Sequence, residues 1–200
     1  MKKALHLSWK ISLRNLGHLA LGTVLALGTT GMAFASSSDH TAASTDTRIE
    51  QRLSSEVHHQ LVMIPQFSVF DNLAYRVDGG TVTLIGQVRN AVVKDAAEQS
   101  IKHLEGVEHV NNQIEVLPAS FNDDRIRKQV ARAVFNDPRL TTYAIQPVPP
   151  IHIIVKNGHV NLEGMVRTET DKNDAFIRAN GVSGVFSVQN NLQVEKPTKG

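Results

Sequence analysis

The chain of 200 residues contains no cysteine. No disulfide can staple it and no thiol can act as nucleophile or metal ligand, so its folded parts must stand on an apolar core. It also lacks a long unbroken apolar run: the stretch from Leu19 to Leu27 is short and interrupted by Gly22, against the about 20 apolar residues a spanning helix needs. Catalytic and metal-ligand spacings are missing as well, with no H-x-x-x-H, H-E-x-x-H or G-x-S-x-G among the residues. His58 and His59 are adjacent and point to different faces of a helix, and His103 and His109 straddle a helix end and a strand. The nine His therefore read as surface or partly buried side chains. Ser54, Ser55, Ser68, Ser100 and Ser183 have no nucleophile elbow, and most carboxylates fall on helix and turn positions where solvation explains them. No enzyme activity, metal or cofactor is expected.

What is present begins with an export signal. Lys2, Lys3, Lys10 and Arg14 precede the apolar stretch, and Ala33-Phe34-Ala35 is a small-x-small end that suits cleavage after Ala35. Residues 1–35 read as this signal and the mature chain as periplasmic. Ser36, where a lipoprotein signal would place Cys, predicts no lipid anchor. Removal of the signal leaves 17 Lys plus Arg against 19 Asp plus Glu, so the basic pI of the whole chain belongs to the unprocessed form. Nucleic acid is not an expected partner.

Residues 36–45, small and polar, read as a flexible leader. The remainder divides into two units, 46–118 and 119–196, with a tail at 197–200. TVTLIGQVR at 81–89 and HVNLEGMVR at 159–167 belong to a repeat that a constant offset of 78 aligns without a gap from Gly80/Gly158 to Val116/Val194. Thr47 and Glu50 are spaced as a capping box, and Ile49, Leu53, Val57 and Leu61 recur every four residues on one face of a first helix ending before Pro65. In the second unit Asn122 or Asp123 can cap a helix with Ile126, Val130 and Val134 on its face, ended by Asn136-Asp137-Pro138. Turn residues Asp78-Gly79-Gly80 and Asn157-Gly158 then join paired strands. A second helix follows at about 91–104 and 169–180, with Thr168 and Asp171 in a capping arrangement. Gly106 and Gly184 lead into a last strand. Gly86 and Gly164, inside strands, are read as places where a helix lies close against the sheet.

This order, with G-x-V-x-L-x-G-x-V at Gly80 to Val88 and Gly158 to Val166 and G-V-x-x-V-x-N at Gly106 to Asn112 and Gly184 to Asn190, resembles the BON domain (bacterial OsmY and nodulation). The resemblance covers nearly all of the mature chain. It implies an α+β fold of two tandem BON domains, each α-β-β-α-β with two helices packed on a small three-stranded mixed sheet, and a protein similar to the soluble periplasmic, OsmY-like members. It further implies an envelope protein tied to stress or outer-membrane upkeep that binds phospholipid surfaces or assists other envelope proteins. Its recurring positions are structural glycines, not catalytic groups. The stretch Arg139 to Pro150 departs from the pattern by lengthening the second unit before its first strand.

Charge separates the two units. Residues 46–118 carry 6 basic and 10 acidic side chains, while 119–200 carry 11 and 8, a balance of −4 against +3. Arg125, Arg127, Lys128 and Arg132 gather in two turns of one helix near Phe121 and Phe135. They are the lipid-binding candidates, resting on anionic headgroups. The same cations, with Asp123 and Asp124 at the helix start, also complement the helix dipole. Opposite charge permits the two units to dock on each other, which would hide the patch. A holdase-like chaperone role is the alternative, using apolar surface around Tyr143, Ile145 and Val148.

Overall fold

The structure, a computed structural model, describes residues 39–146 and 148–196, with side chains from Arg48 onward. The expected signal, its cut after Ala35, the unanchored N-terminus and the tail at 197–200 lie outside the described residues.

The first unit starts with α1 (Asp39–Val62), followed by β1 (Asn72–Asp78), β2 (Thr81–Val88), α2 (Ala91–Lys102) and β3 (His109–Val116). Helix α1 reaches back into the stretch expected to be a flexible leader. No Gly or Pro interrupts residues 36–52, and Ala42 and Ala43 favour helix, so the turn packed at Leu53 propagates towards the N-terminus. Thr47 consequently lies inside the helix, not at its start. Ile49, expected on the buried face, is 57% exposed, because the packed face begins one turn later at Leu53.

The second unit repeats the order. It comprises α3 (Phe121–Phe135), the single turn α4 (Thr141–Ala144), β4 (Ile151–Lys156), β5 (His159–Val166), α5 (Glu169–Asn180), β6 (Ser187–Asn190) and β7 (Gln193–Val194). In each sheet the hairpin is antiparallel, and the strand after the second helix returns parallel to the central one, as β1-β2-β3 and β4-β5-β6. Strand β7 also pairs parallel with β5, so the expected third strand is split into two pieces. Alternation places Val82, Leu84 and Val88 in one core and Val160, Leu162 and Val166 in the other.

Gly86 and Gly164 correct the expectation of a close helix. Both have positive φ, 128° and 114°, and a Cβ on either would stand 2.0 Å from a backbone carbonyl oxygen, that of Asn72 or Pro150. The close neighbour is the antiparallel strand, not a helix. Each glycine pairs with a residue at the start of the partner strand, Gly86 with Leu73 and Gly164 with Ile151.

Strand β4 is buried along Ile151 to Val155. Ile151, Ile153 and Val155 belong to the second core, while the alternate positions His152 and Ile154 are buried on the opposite face. The loop before β1 covers this edge: Ile153 N–H donates to the Val69 carbonyl at 2.7 Å, and the Phe67 ring stands 5.5 Å from the His152 ring. Phe70 packs against the second core, and Lys156 Nζ pairs with Glu115 at 2.5 Å. The two units therefore touch, with one edge of the second sheet capped by the first unit.

His152 and Glu163 are cross-strand partners, and both are buried. Burial pushes the imidazole down from its usual range, opposed by hydrogen bonding to the backbone of Asp71 and Ser68. Burial pushes the Glu163 carboxyl up, partly offset by the amide of Asn191 at 2.6 Å. A carboxyl with a raised folded-state value contributes stability below its unfolded value and loses it as pH rises through the folded one. Glu163→Gln is accordingly expected to raise the melting temperature at pH 7, with the gain vanishing towards pH 4. A gain of equal size at both pH values would contradict this assignment.

Candidate functional site

Helix α3 is capped by Ser120, whose hydroxyl accepts from Asp123 N–H at 3.2 Å. This replaces the expected caps at Asn122 or Asp123. Asp123 instead faces inward, and its carboxylate accepts from Asn157 N–H at 2.9 Å and Gly158 N–H at 2.8 Å. The start of α3 is thereby tied to the β4–β5 turn, where Asn157 and Gly158 both have positive φ. Ile126, Val130 and Val134 point into the core as expected.

Opposite that face runs an exposed stripe. Phe121, Arg125, Lys128 and Arg132 recur at i, i+4, i+7 and i+11, within about 40° of one line along the helix. All four are exposed, and Phe121, at 91%, is almost wholly in solvent. Arg125 donates to the neutral side chain of Asn122 at 2.8 Å. Among the described residues no carboxylate forms an ion pair with Arg125, Lys128 or Arg132. Their charge faces water undiminished by a partner. Docking of the units leaves the stripe open, contrary to the expectation that contact would hide it, because the first unit lies against β4 instead.

Arg127 does not join this stripe. It is 2% exposed, its Nη1 on Asp124 at 2.6 Å and its Nη2 on the Val155 carbonyl at 2.5 Å. The geometric reason is that it sits about 120° from the exposed line, on the side that meets β4. Phe135 is half-buried against the core. Tyr143, expected at an exposed apolar surface, is also buried: its hydroxyl donates to Asp171 at 2.7 Å and accepts from Arg167 N–H at 2.8 Å. Ile145 and Val148 of the same stretch are exposed.

Another residue at this end had no role in the sequence reading. Phe186, in the loop between α5 and β6, is 73% exposed and lies across the β4–β5 turn, so close that a Cβ on Gly158 would be 2.6 Å from its ring. His159 meets it edge-on at 5.9 Å. The repeat offset pairs Phe186 with Glu108, and an aromatic where the other unit has an acid was the signal available in the sequence.

Among the described residues no group of three or more His, Asp or Glu could hold a metal ion. No described helix is long and apolar enough to cross a membrane. The exposed face is cationic along the helix and aromatic at its tip.

Comparison with known proteins places the repeat. The BON domain family matches residues 45–118 and again residues 122–196. The chain belongs to the BON-domain family. Its exposed stripe thus lies on the first helix of the second BON domain. The outer membrane lipoprotein DolP of Haemophilus influenzae is 38% identical over 114 residues, which cover 54% of this chain and 55% of that protein. The chain thus matches about half the length of this curated relative. Two structures of CdsD, a structural protein of the type III secretion system of Chlamydia trachomatis, each share 13% identity and cover 72% of this chain. They cover 98% and 94% of those chains with TM-scores of 0.30 and 0.26, a likeness too slight to carry an inference.

Proposed function

We propose that this tandem BON protein is a non-enzymatic module of the bacterial envelope that rests on anionic phospholipid surfaces through its second domain. The observation that carries the reading is the exposed line of Phe121, Arg125, Lys128 and Arg132. Three cations on one helical face meet headgroup phosphates without competition from an ion-paired carboxylate, and an aromatic at the end supplies an apolar contact. The BON family and a relative named as an outer membrane lipoprotein support an envelope setting.

Each basic residue near an anionic membrane contributes about 1 kcal/mol. Replacing Arg125, Lys128 and Arg132 together by Gln is therefore expected to weaken binding to anionic vesicles about 100-fold. Because all three side chains are exposed, circular dichroism should not change. Undiminished vesicle binding by the triple variant would sink the reading.

A second reading, a holdase for exported proteins, is supported by the exposure of Ile145, 77%, and Val148 in the stretch that lengthens the second unit. Its signature is suppression of client aggregation that persists at high salt.

A further inference from the structure

The two domains are an internal control for each other. In the sheets and second helices the offset is 78, while the first helices correspond at an offset of 73, Leu53/Ile126, Val57/Val130 and Leu61/Val134. At the tip these offsets match Arg52 with Arg125, Asp78 with Lys156, Glu105 with Ser183 and Glu108 with Phe186. The geometry is shared. A Cβ on Gly80 would stand 2.7 Å from the Glu108 side chain, just as one on Gly158 would stand 2.6 Å from the Phe186 ring. Glu50 accepts from Gly79 N–H at 3.4 Å where Asp123 accepts from Asn157 N–H.

The chemistry of the two tips is opposite. In the first domain Arg52 pairs with Glu105 at 3.5 Å, and Asp78 and Glu108, at the β1–β2 turn, are exposed. In the second, those three acids are replaced by a lysine, a serine and a phenylalanine. Arg125 reaches over the same loop, its Nη2 3.3 Å from where a Cβ on Gly184 would be, and meets no carboxylate there. One scaffold thus carries an acid-screened arginine in one copy and an arginine beside an exposed aromatic in the other.

We infer that Phe186 is a second membrane anchor, entering the acyl boundary of an anionic bilayer beside Phe121 while Arg125 between them meets the phosphates. This rests on the lipid-surface reading and deepens it: helix α3 alone gives a line of contact, whereas Phe186 adds a point on a separate element and fixes how the domain stands on the surface. Negative charge at Glu105 and Glu108 excludes the first domain from the same role. An aromatic ring held in water at the tip of a cationic surface fits the interfacial zone, where rings lie among headgroups and upper acyl chains.

The test uses the chain from Ser36 on, which holds both cores and every described element. Trp9 is the sole tryptophan of the whole chain, so Phe186→Trp creates a single fluorescent reporter at the loop. With vesicles of phosphatidylglycerol and phosphatidylcholine carrying bromine on the upper acyl chain, its emission is expected to shift to the blue and to be quenched by about half or more. Phe186→Glu with Ser183→Glu, which gives the loop the first domain's acids, is expected to weaken vesicle binding at least tenfold. Phe186→Ser, which adds no charge and leaves an exposed position polar, is expected to weaken it severalfold with an unchanged circular dichroism spectrum. Pelleting with vesicles while the reporter stays unquenched, or full binding by Phe186→Ser, would overturn the inference and leave the helix-only reading standing. Absence of pelleting by the unaltered chain would remove both.

Discussion

Gly164→Val is expected to destabilise the second domain severely. Two effects combine at this position. Its φ of 114° lies in a region side chains rarely adopt, and a Cβ would come within 2.0 Å of the Pro150 carbonyl oxygen. The backbone strain alone amounts to about 1 to 3 kcal/mol. The clash is with backbone, which cannot rotate aside as a side chain can, so relief requires β4 to leave β5. A total loss of about 4 kcal/mol or more is a large share of the 5 to 15 kcal/mol typical of a domain. Urea unfolding followed by circular dichroism would show the loss as a transition moved to much lower denaturant. Gly79→Ala is the control: it shares a positive φ, 57°, but a Cβ there meets nothing within 4 Å. It should cost only about 1 kcal/mol. If Gly164→Val unfolded at the same denaturant concentration as Gly79→Ala, the close carbonyl would not be the constraint described.

Arg127→Ala is expected to destabilise the second domain by about 3 kcal/mol without acting through the membrane surface. The guanidinium is enclosed between α3 and β4, and truncation empties its volume while taking a donor from the Val155 carbonyl. Asp124, about half exposed, regains water and limits the loss. Arg127→Met should recover most of the stability, since a buried ion is costly to desolvate and an apolar side chain of similar length fills the space. In vesicle binding Arg127→Met should match the unaltered protein, whereas substitutions at Arg125, Lys128 and Arg132 should not. Loss of vesicle binding in a stable Arg127→Met protein would return Arg127 to the contact surface.

The repeat was legible in the sequence because its signal is redundant. Glycines with positive φ, alternating Val and Leu, and a shared offset all report the same α-β-β-α-β unit, and helix α5 falls at 169–180 as the repeat and the Thr168 cap predict. Local features decided by tertiary context were not legible. Asp123 resembles an N-cap in sequence, yet the nearby β4–β5 turn, 34 residues on, claims its carboxylate. Gly86 and Gly164 announced a close approach, but not that the neighbour was the pairing strand. Arg127 belongs to a basic cluster by composition and to the interior by helical phase, and the phase relative to Ile126, Val130 and Val134 was already readable. Phe186 needed the comparison of the two repeats, since an isolated phenylalanine in an apolar-rich segment reads as core.

The account requires that charge, not only apolar area, bring the second domain to a lipid surface. The direct measurement is sedimentation of residues 36–200 with neutral phosphatidylcholine vesicles and with vesicles containing phosphatidylglycerol, each at about 20 mM and 500 mM salt. A Debye length that falls from about 20 Å to about 4 Å across this range should release protein held by exposed cations. Pelleting with the anionic vesicles at low salt, its loss at high salt and no pelleting with neutral vesicles is the predicted result; equal pelleting with both vesicle types, or none with either, would contradict it.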